Sequence, residues 1–465
     1  MAKSGVSLWN DLRQAGDLSR RFFLSHLGNV GLAELAAGSN LEAPIRQFYG
    51  RSVLVRTRHQ LTAALALIEL DGIARRIALC PPDLPTEHIS LAMQMAQADM
   101  LLCDDGWAET DAPKGTSFNK CTSTIAPGKI ESDRDLPTEW VLFTSGTTGL
   151  PKLVVHTLTT LHPPHFVTDE TEHPVVWSTF YDIRRYGGLQ VFLRAVLGGA
   201  SLVLSSAEES IEGFLTRAGG SGLTHISGTP THWRKALMSS AIHRVSPVYI
   251  RLSGEIVDQI ILDSLRATFP EAKIVHAFAS TEAGVAFAVT DCKAGFPASL
   301  VGSRDSEVEM KIENGSLRIR SPRSAVRYLG NSSGTLADPD GFVDTHDLVE
   351  LRDGRYYFTG RADRVINVGG LKVHPEEVEA VINRHPEVQL SLVKGRRNPV
   401  TGELVVAEVV LRSLAGRAGA ATDQTIVRNQ ILEICRRALT PYKVPAAIRF
   451  VPGLEITPAG KLARA

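Results

Sequence analysis

"LFTSGTTGLPK", residues 142–152, sets three threonines, a serine, two glycines, a proline and a lysine directly behind an apolar run that reads as a strand. Glycines at such a place let backbone N–H groups approach an anion, while Thr144, Ser145, Thr147 and Thr148 add hydroxyl donors and Lys152 a point charge. The stretch therefore suits phosphate. It is not a Walker A loop, which needs four residues between its first glycine and its Gly-Lys pair, whereas two separate Gly146 from Gly149. Composition alone leaves a polar turn between strand and helix as the competing reading.

Working outward, short apolar runs alternate with amphipathic ones: "SVLVRT", "HQLTAALALIELDGIA", "RIALCP" and "HISLAMQMAQADMLLCDD" before the loop, then "PVVWSTF", "IRRYGGLQVFLRAVLGG", "ASLVLSS", "IVDQIILDSLRATFP" and "AKIVHAF" after it. This βαβα rhythm predicts a largely parallel sheet flanked by helices, in one α/β domain reaching about residue 360. "SLRIRSP" and "TLADPDGFVDTHDLVELRDGRYYFTGR" carry Gly and Asp turns between β-type runs and predict short antiparallel strands closing that domain. In "HPEEVEAVINRHPEV", Pro375 at a first turn, Glu376 and Glu377 at the positive end of the dipole, and the stripe Val378, Val381, Ile382 predict a helix. "VQLSLVKGRRNPVTGELVVAEVVLRS" reads as a hairpin turning at "NPVTGE", followed by the small-residue loop "SLAGRAGAATDQ". The fold expected is α/β: a large N-terminal domain, residues 1–362, with a small β-barrel-like closure, and a small mobile α+β domain, residues 363–465.

Composition narrows the partners. Of 465 residues, 43% are hydrophobic and 22% charged, with Lys+Arg and Asp+Glu balanced at 50 each, so no basic footprint points to nucleic acid or to an anionic membrane. Cys80, Cys103, Cys121, Cys292 and Cys435 are far apart and form no CxxC pair, which argues against a disulfide framework and a zinc site. "LTAALALIEL" (61–70) is too short to span a bilayer, and the first twenty residues lack an apolar signal core. The expectation is a soluble, cytoplasmic protein acting on a small molecule.

Five segments, in order, resemble the adenylate-forming superfamily of acyl-CoA synthetases, nonribosomal peptide synthetase adenylation domains and luciferases. "TSGTTGLPK" is similar to its signature loop, which implies ATP phosphate contacts for Thr144, Ser145, Gly146, Thr147, Thr148, Gly149 and Lys152. "HAFASTEAG" (276–284) resembles the aromatic-Gly-x-Thr-Glu block; the resemblance implies that Phe278 packs on adenine, Thr281 meets the α-phosphate and Glu282 holds Mg²⁺, with Phe and Ala279 replacing the usual Tyr and Gly. A hard cation suits a carboxylate. "VDTHDLVEL" (343–351) is similar to the Thr-Gly-Asp block and implies that Asp347 accepts both ribose hydroxyls, His346 standing for the usual Gly. "FTGRADRVINVGGLKVHPEEVE" (358–379) resembles the hinge block. It implies a hinge at Asp363, Arg361 near the nucleotide, and a thiol-acceptor loop at Gly369 and Gly370 with Lys372 on the thiol substrate's phosphates. "EITPAGKLARA" ends the chain as the family ends, implying that Lys461 bridges substrate carboxylate and α-phosphate, a preorganised cation worth roughly 3–4 kcal/mol.

The activity so implied is ATP- and Mg²⁺-dependent adenylation of a small-molecule carboxylic acid, then thioester formation, in an acyl-CoA synthetase. "TPYKVP" (440–445) favours CoA ligases; the alternative acceptor is the phosphopantetheine of a separate acyl carrier protein, since no carrier domain follows Lys461. A non-catalytic nucleotide-binding protein is the alternative from another class, against which the joint presence of Lys152, Glu282, Asp347, Asp363 and Lys461 argues. Position along the family pattern puts Tyr181, Gly187, Gly254, Phe278 and Ser280 at the acyl pocket. Asp182 either caps the following helix, the preferred reading, or meets a substrate amine. The segment ahead of the loop is shorter than the family's usual N-terminal region.

Overall fold

The computed structural model describes residues 7–104, 116–128, 134–144, 152–163, 174–303, 306–330, 335–399, 402–412, 424–457 and 461–463. Two eight-stranded sheets form its body. The first runs Gly284–Val289, Lys273–Ser280, Tyr249–Leu252, His225–Gly228, Val176–Thr179, Ser201–Val203, Phe22–Ser25, Gly28–Gly31, parallel through the middle with an antiparallel strand at each edge. The second runs Arg327–Leu329, Lys152–Thr157, Glu139–Thr144, Arg76–Leu79, Ser52–Arg56, Met100–Cys103, Ser117–Pro127, Gly38–Leu41.

The largest core lies between these sheets. Val53, Val55, Ile77 and Leu79 of the second sheet and Trp177, Leu202, Tyr249 and Val275 of the first meet around the helices Gln60–Leu70 and Tyr186–Leu197. All eleven residues of Gln60–Leu70 are buried, which explains why "LTAALALIEL" is apolar on every side without being a membrane span. Among the described residues no helix is long and apolar enough to cross a membrane. The opposite face of the first sheet, with Ile226, Ile250, Leu252 and Ile274, packs on an outer helix layer through Leu215, Trp233 and Leu262.

The predicted closure is a five-stranded antiparallel sheet, ordered Phe296–Pro297, Arg355–Arg361, Val343–Arg352, Ser316–Arg320, Glu309–Glu313. After the 3₁₀ turn Ala362–Arg364, every strand belongs to a separate sheet of five. Its predicted hairpin, Val388–Asn398 with Gly402–Leu411, packs on Pro375–Ile382, whose buried residues include Val378, Val381 and Ile382, and on Gln424–Ala438. "SLAGRAGAATDQ" lies outside the described residues but for Gln424. The five cysteines are free.

One expectation needs correction. The signature stretch does not lead from strand to helix. Glu139–Thr144 returns antiparallel as Lys152–Thr157 in the same sheet, with Thr144 opposite Lys152. "LVVHT" is β-branched and apolar enough to continue the ladder, and the helix that follows begins only at Leu158.

Candidate active site

The hairpin register sets Thr144 and Lys152 side by side at one end of the second sheet. Ser145, Gly146, Thr147, Thr148 and Gly149 themselves lie outside the described residues. Thr144 Oγ1 donates to Lys152 O at 3.5 Å, and the Lys152 ammonium stands 5.5 Å from the centre of the Tyr328 ring. Tyr328 lies on Arg327–Leu329, the strand paired to Lys152–Thr157. Its phenol pKa is raised to about 12, first by burial and then by the Glu282 carboxylate. Lys152 and Glu282 thus flank one ring.

Thr281 and Glu282 form the turn between Lys273–Ser280 and Gly284–Val289, and hydrogen bonds hold that turn from several sides. His156 Nε2 donates to Thr281 O at 2.7 Å, Ala325 N to Glu282 O at 2.8 Å, and Ala283 N to Ser280 Oγ at 2.9 Å. Ser280 therefore spends its hydroxyl on the turn. Gly284 has φ +75°, and a Cβ there would lie 2.5 Å from Arg323 O, so glycine alone fits. His156 is fully buried, with Nδ1 2.9 Å from Thr160 Oγ1; burial lowers its pKa to about 4 against the pull of the Thr281 carbonyl. It is a neutral imidazole carrying its proton on Nε2, because a carbonyl can only accept.

Phe278 stacks on Phe358 with centroids 5.0 Å apart and on Phe287 at 5.9 Å, joining an aromatic cluster at the closure sheet. From that sheet comes Asp347. The preceding His346 has φ +57°, the left-handed conformation that explains the family's glycine, and its N–H donates to Asp344 Oδ1 at 2.8 Å. Burial raises the Asp347 pKa to about 6, opposed by Arg361 and Lys461. Arg361 Nη1 is 3.9 Å from Asp347 Oδ1, and its Nε donates to Asp363 Oδ1 at 3.2 Å.

Lys461 reaches the same place from the end of the chain. Its Cε lies 3.5 Å from where a Cβ on Gly254 would stand, a point also 3.7 Å from Thr229 Cγ2 and 4.0 Å from Tyr181 Oη. The residue stays exposed at the mouth of the groove, yet the chain around it lowers its pKa by desolvation, opposed by the Glu255 and Asp347 carboxylates. Thr457 N donates to Lys461 O at 2.7 Å and Ala463 N to Glu455 O at 3.0 Å, bonds that tie Lys461 and its neighbours to Glu455–Thr457. Tyr181 Oη donates to Ser253 O at 2.7 Å, and a Cβ on Gly187 would stand 3.6 Å from the Tyr181 ring. The structure therefore unites Tyr181, Gly187, Gly254, Asp347, Arg361 and Lys461. Gly369 and Gly370, both at positive φ, instead turn an exposed hairpin, with Lys372 exposed on its second strand.

Asp182 does not cap the helix, the preferred reading. The helix begins at Tyr186 with Arg185 as its N-cap, so Asp182 is too early to cap it. Its Oδ1 accepts from Arg184 N and Arg184 Nε, both at 2.8 Å, and its Oδ2 from Arg184 Nη2, a bidentate pair in which the arginine is buried and the carboxylate partly so. The cap reading missed that the arginine two residues on closes a local turn around the carboxylate.

His156, Tyr328, Arg251 and Glu255 escaped the sequence reading. Glu255 follows Gly254 and accepts from Thr231 N at 2.9 Å and Thr231 Oγ1 at 3.0 Å, tying the first turn of Pro230–Leu237 to the groove. A polar residue inside "LVVHT" was the available signal for His156.

Two stacked α/β sheets, a β closure and a C-terminal α+β unit returning a lysine to the groove define the adenylate-forming class of fold. The chain belongs to the AMP-binding enzyme family: the AMP-binding enzyme model matches residues 53–325 and the AMP-binding enzyme C-terminal domain model residues 377–461. It is similar to 4-hydroxybutyrate–CoA ligase 1 of Metallosphaera sedula, 27% identical over 69% of this chain, a match that spans only 60% of that relative. It is 25% identical to 2-succinylbenzoate–CoA ligase of Salmonella typhimurium over 88% of this chain and 90% of the relative. Its fold matches the crystal structure of the anthranilate CoA ligase AuaEII in complex with anthranoyl-AMP, with TM-score 0.78 and 16% identity over 98% of this chain and 95% of the other.

Proposed function

We propose that this chain is an AMP-forming carboxylate–CoA ligase. It joins a small carboxylic acid to the α-phosphate of ATP, releasing pyrophosphate, then transfers the acyl group from the adenylate to the thiol of CoA, releasing AMP. The observation that carries the reading is Lys461 lying against Gly254 with Glu255 and Asp347 acting on its charge. A lysine so placed neutralises charge where a carboxylate meets an α-phosphate. Asp347 would accept the ribose hydroxyls, Thr281 would donate to the α-phosphate, and Lys152 with the hydroxyls of residues 144–148 would hold the outer phosphates. Glu282 fits Mg²⁺, being a hard oxygen donor with no ion-pair partner among the described residues, and the ion would supply charge neutralisation to the phosphates.

Residues 1–362 and 363–465 would act as two domains rotating about Asp363, so that Lys461 serves adenylation and withdraws for thioester formation. The names of the relatives favour CoA over a carrier protein as acceptor. The test is carboxylate-dependent pyrophosphate release with ATP and Mg²⁺, across fatty, aryl, hydroxy and amino acids, with and without CoA. Release that CoA accelerates, with acyl-CoA as product, is the expected result. Release indifferent to CoA would turn the reading to a carrier protein, and silence across the panel would leave a nucleotide-binding role.

A further inference from the structure

Strand Tyr249–Leu252 ends just before the glycine that meets Lys461, and its alternate residues divide between two faces. Ile250 and Leu252 enter the outer core, while Tyr249 belongs to the core between the sheets, with Trp177 and the helix Tyr186–Leu197. Arg251 therefore shares a face with Tyr249, near enough to Tyr181 for its charge to act on that phenol. It is 8% exposed. Its guanidinium Nη1 donates to Tyr249 Oη at 3.5 Å, and among the described residues no carboxylate lies within ion-pair distance of it. Tyr249 is itself fixed by rings, stacked on His225 at 5.3 Å and edge-on to Trp177 at 5.6 Å. A second buried arginine, Arg194 on the facing helix, lies close enough that Arg251 helps burial lower its pKa to about 9.

A guanidinium held away from water without a counter-charge is unfavourable, and an anion brought by a ligand relieves that cost. Arg251 stands three residues before Gly254, roughly 10 Å along an extended chain at ~3.3 Å per residue. With the reacting carboxylate at Lys461, a second anionic group on the same acid would point down this face. We propose that Arg251 is a specificity-determining residue that binds a second carboxylate, and that the substrates are dicarboxylic acids whose acid groups are separated by a short alkyl or aryl spacer. This rests on the ligase reading above.

The experiment compares matched acids on the full chain: glutarate, adipate, pimelate and the benzenedicarboxylates against monoacids in which a methyl group replaces one carboxylate. Initial rates of CoA-dependent AMP formation give kcat/KM for each, in wild type, Arg251→Met and Arg251→Lys. A pocket built to bond a polar group rejects an analogue lacking it far more strongly than an apolar pocket rejects a missing methylene. A diacid should exceed its monoacid at least 100-fold at one spacer length; Arg251→Met should cut that to under tenfold, and Arg251→Lys should restore part of it. Turnover confined to monoacids would overturn the proposal and leave the ligase reading standing. Calorimetric binding of the same diacids without nucleotide decides the matter even if no acid turns over. Binding weakened at least 30-fold by Arg251→Met supports the proposal, whereas equal binding, or none to wild type, overturns it. The melting temperature of nucleotide-free Arg251→Met separates a structural role: it should match or exceed wild type, and a marked fall would make Arg251 a packing residue and sink the idea.

Discussion

His346 shows how one residue can carry a family's reason in its backbone. A left-handed conformation costs a residue with a Cβ roughly 1–2 kcal/mol, more when the side chain is β-branched. His346→Gly relieves that strain but loosens the unfolded chain by ~0.4–1 kcal/mol, so urea midpoints should shift little, while His346→Val should lose ~1–2 kcal/mol. Equal midpoints for glycine and valine would show that the turn does not hold its conformation. The next residue governs a pH response. Asp347 titrates near 6 when folded, above its ordinary 3.8, so between those values the folded state holds a proton that the unfolded state has lost. Its contribution to the nucleotide-free protein is thus greatest below pH 4 and is lost as pH rises toward 6. In the proposed ribose role the response runs the other way, since the ionised carboxylate is the stronger acceptor for two hydroxyls. Adenosine affinity should fall about tenfold from pH 7.5 to pH 5 and become flat in Asp347→Asn. A wild-type profile as flat as the variant's would remove Asp347 from the ribose site.

At the scale of elements, the Thr281–Glu282 turn is held by its neighbours. Gly284→Ala would drive a methyl into the Arg323 carbonyl, a rigid backbone atom, and should cost ~3 kcal/mol or more while lowering adenylation. Gly370→Ala meets open space at an equally positive φ and should cost only about 1 kcal/mol. Similar thermal shifts in the two would mean the Arg323 contact yields. His156 ties Lys152–Thr157 to that same turn as a neutral imidazole. Its folded pKa of about 4 lies below 6.5, so the unfolded chain takes the proton first and stability is lost as pH falls from about 6.5 to 4. His156→Gln should flatten the urea midpoint across that range, removing up to ~3 kcal/mol of pH dependence, and an unchanged slope would place the titration elsewhere. These ties were not legible in the sequence. The βαβα rhythm, the Pro375 helix and the "NPVTGE" hairpin were, because each follows from local periodicity or a turn residue. The bond from His156 to Thr281 and the proximity of Lys152 to Tyr328 arise from strands paired across long sequence separations, and Asp182 was misjudged because Arg184 folds back upon it.

On the scale of the whole molecule, the groove is completed from distant parts of the chain: Gly254 and Glu255 come from the body, Asp347 from the closure sheet, and Lys461 from beyond the separate C-terminal sheet. Motifs in the sequence revealed Asp347 and Lys461 and position suggested Gly254, but Glu255 and the convergence of all four are properties of the fold. A lysine supplied by a small separate unit can be present for one half-reaction and absent for the next, whereas one on the body would serve both. Lys461→Ala should therefore slow acyl-AMP formation roughly 10²–10³-fold, the scale of one charge-stabilising donor, and leave thioester formation from supplied acyl-AMP within about twofold of wild type. The two half-reactions are read separately, by pyrophosphate release without CoA and by acyl-CoA formation from synthetic adenylate. If both fall together, Lys461 is a fixed part of the site and the C-terminal unit need not move. If only adenylation falls, the placement against Gly254 is one of two working arrangements, and the hairpin turned by Gly369 and Gly370, exposed in this one, is the natural candidate to approach the groove in the other.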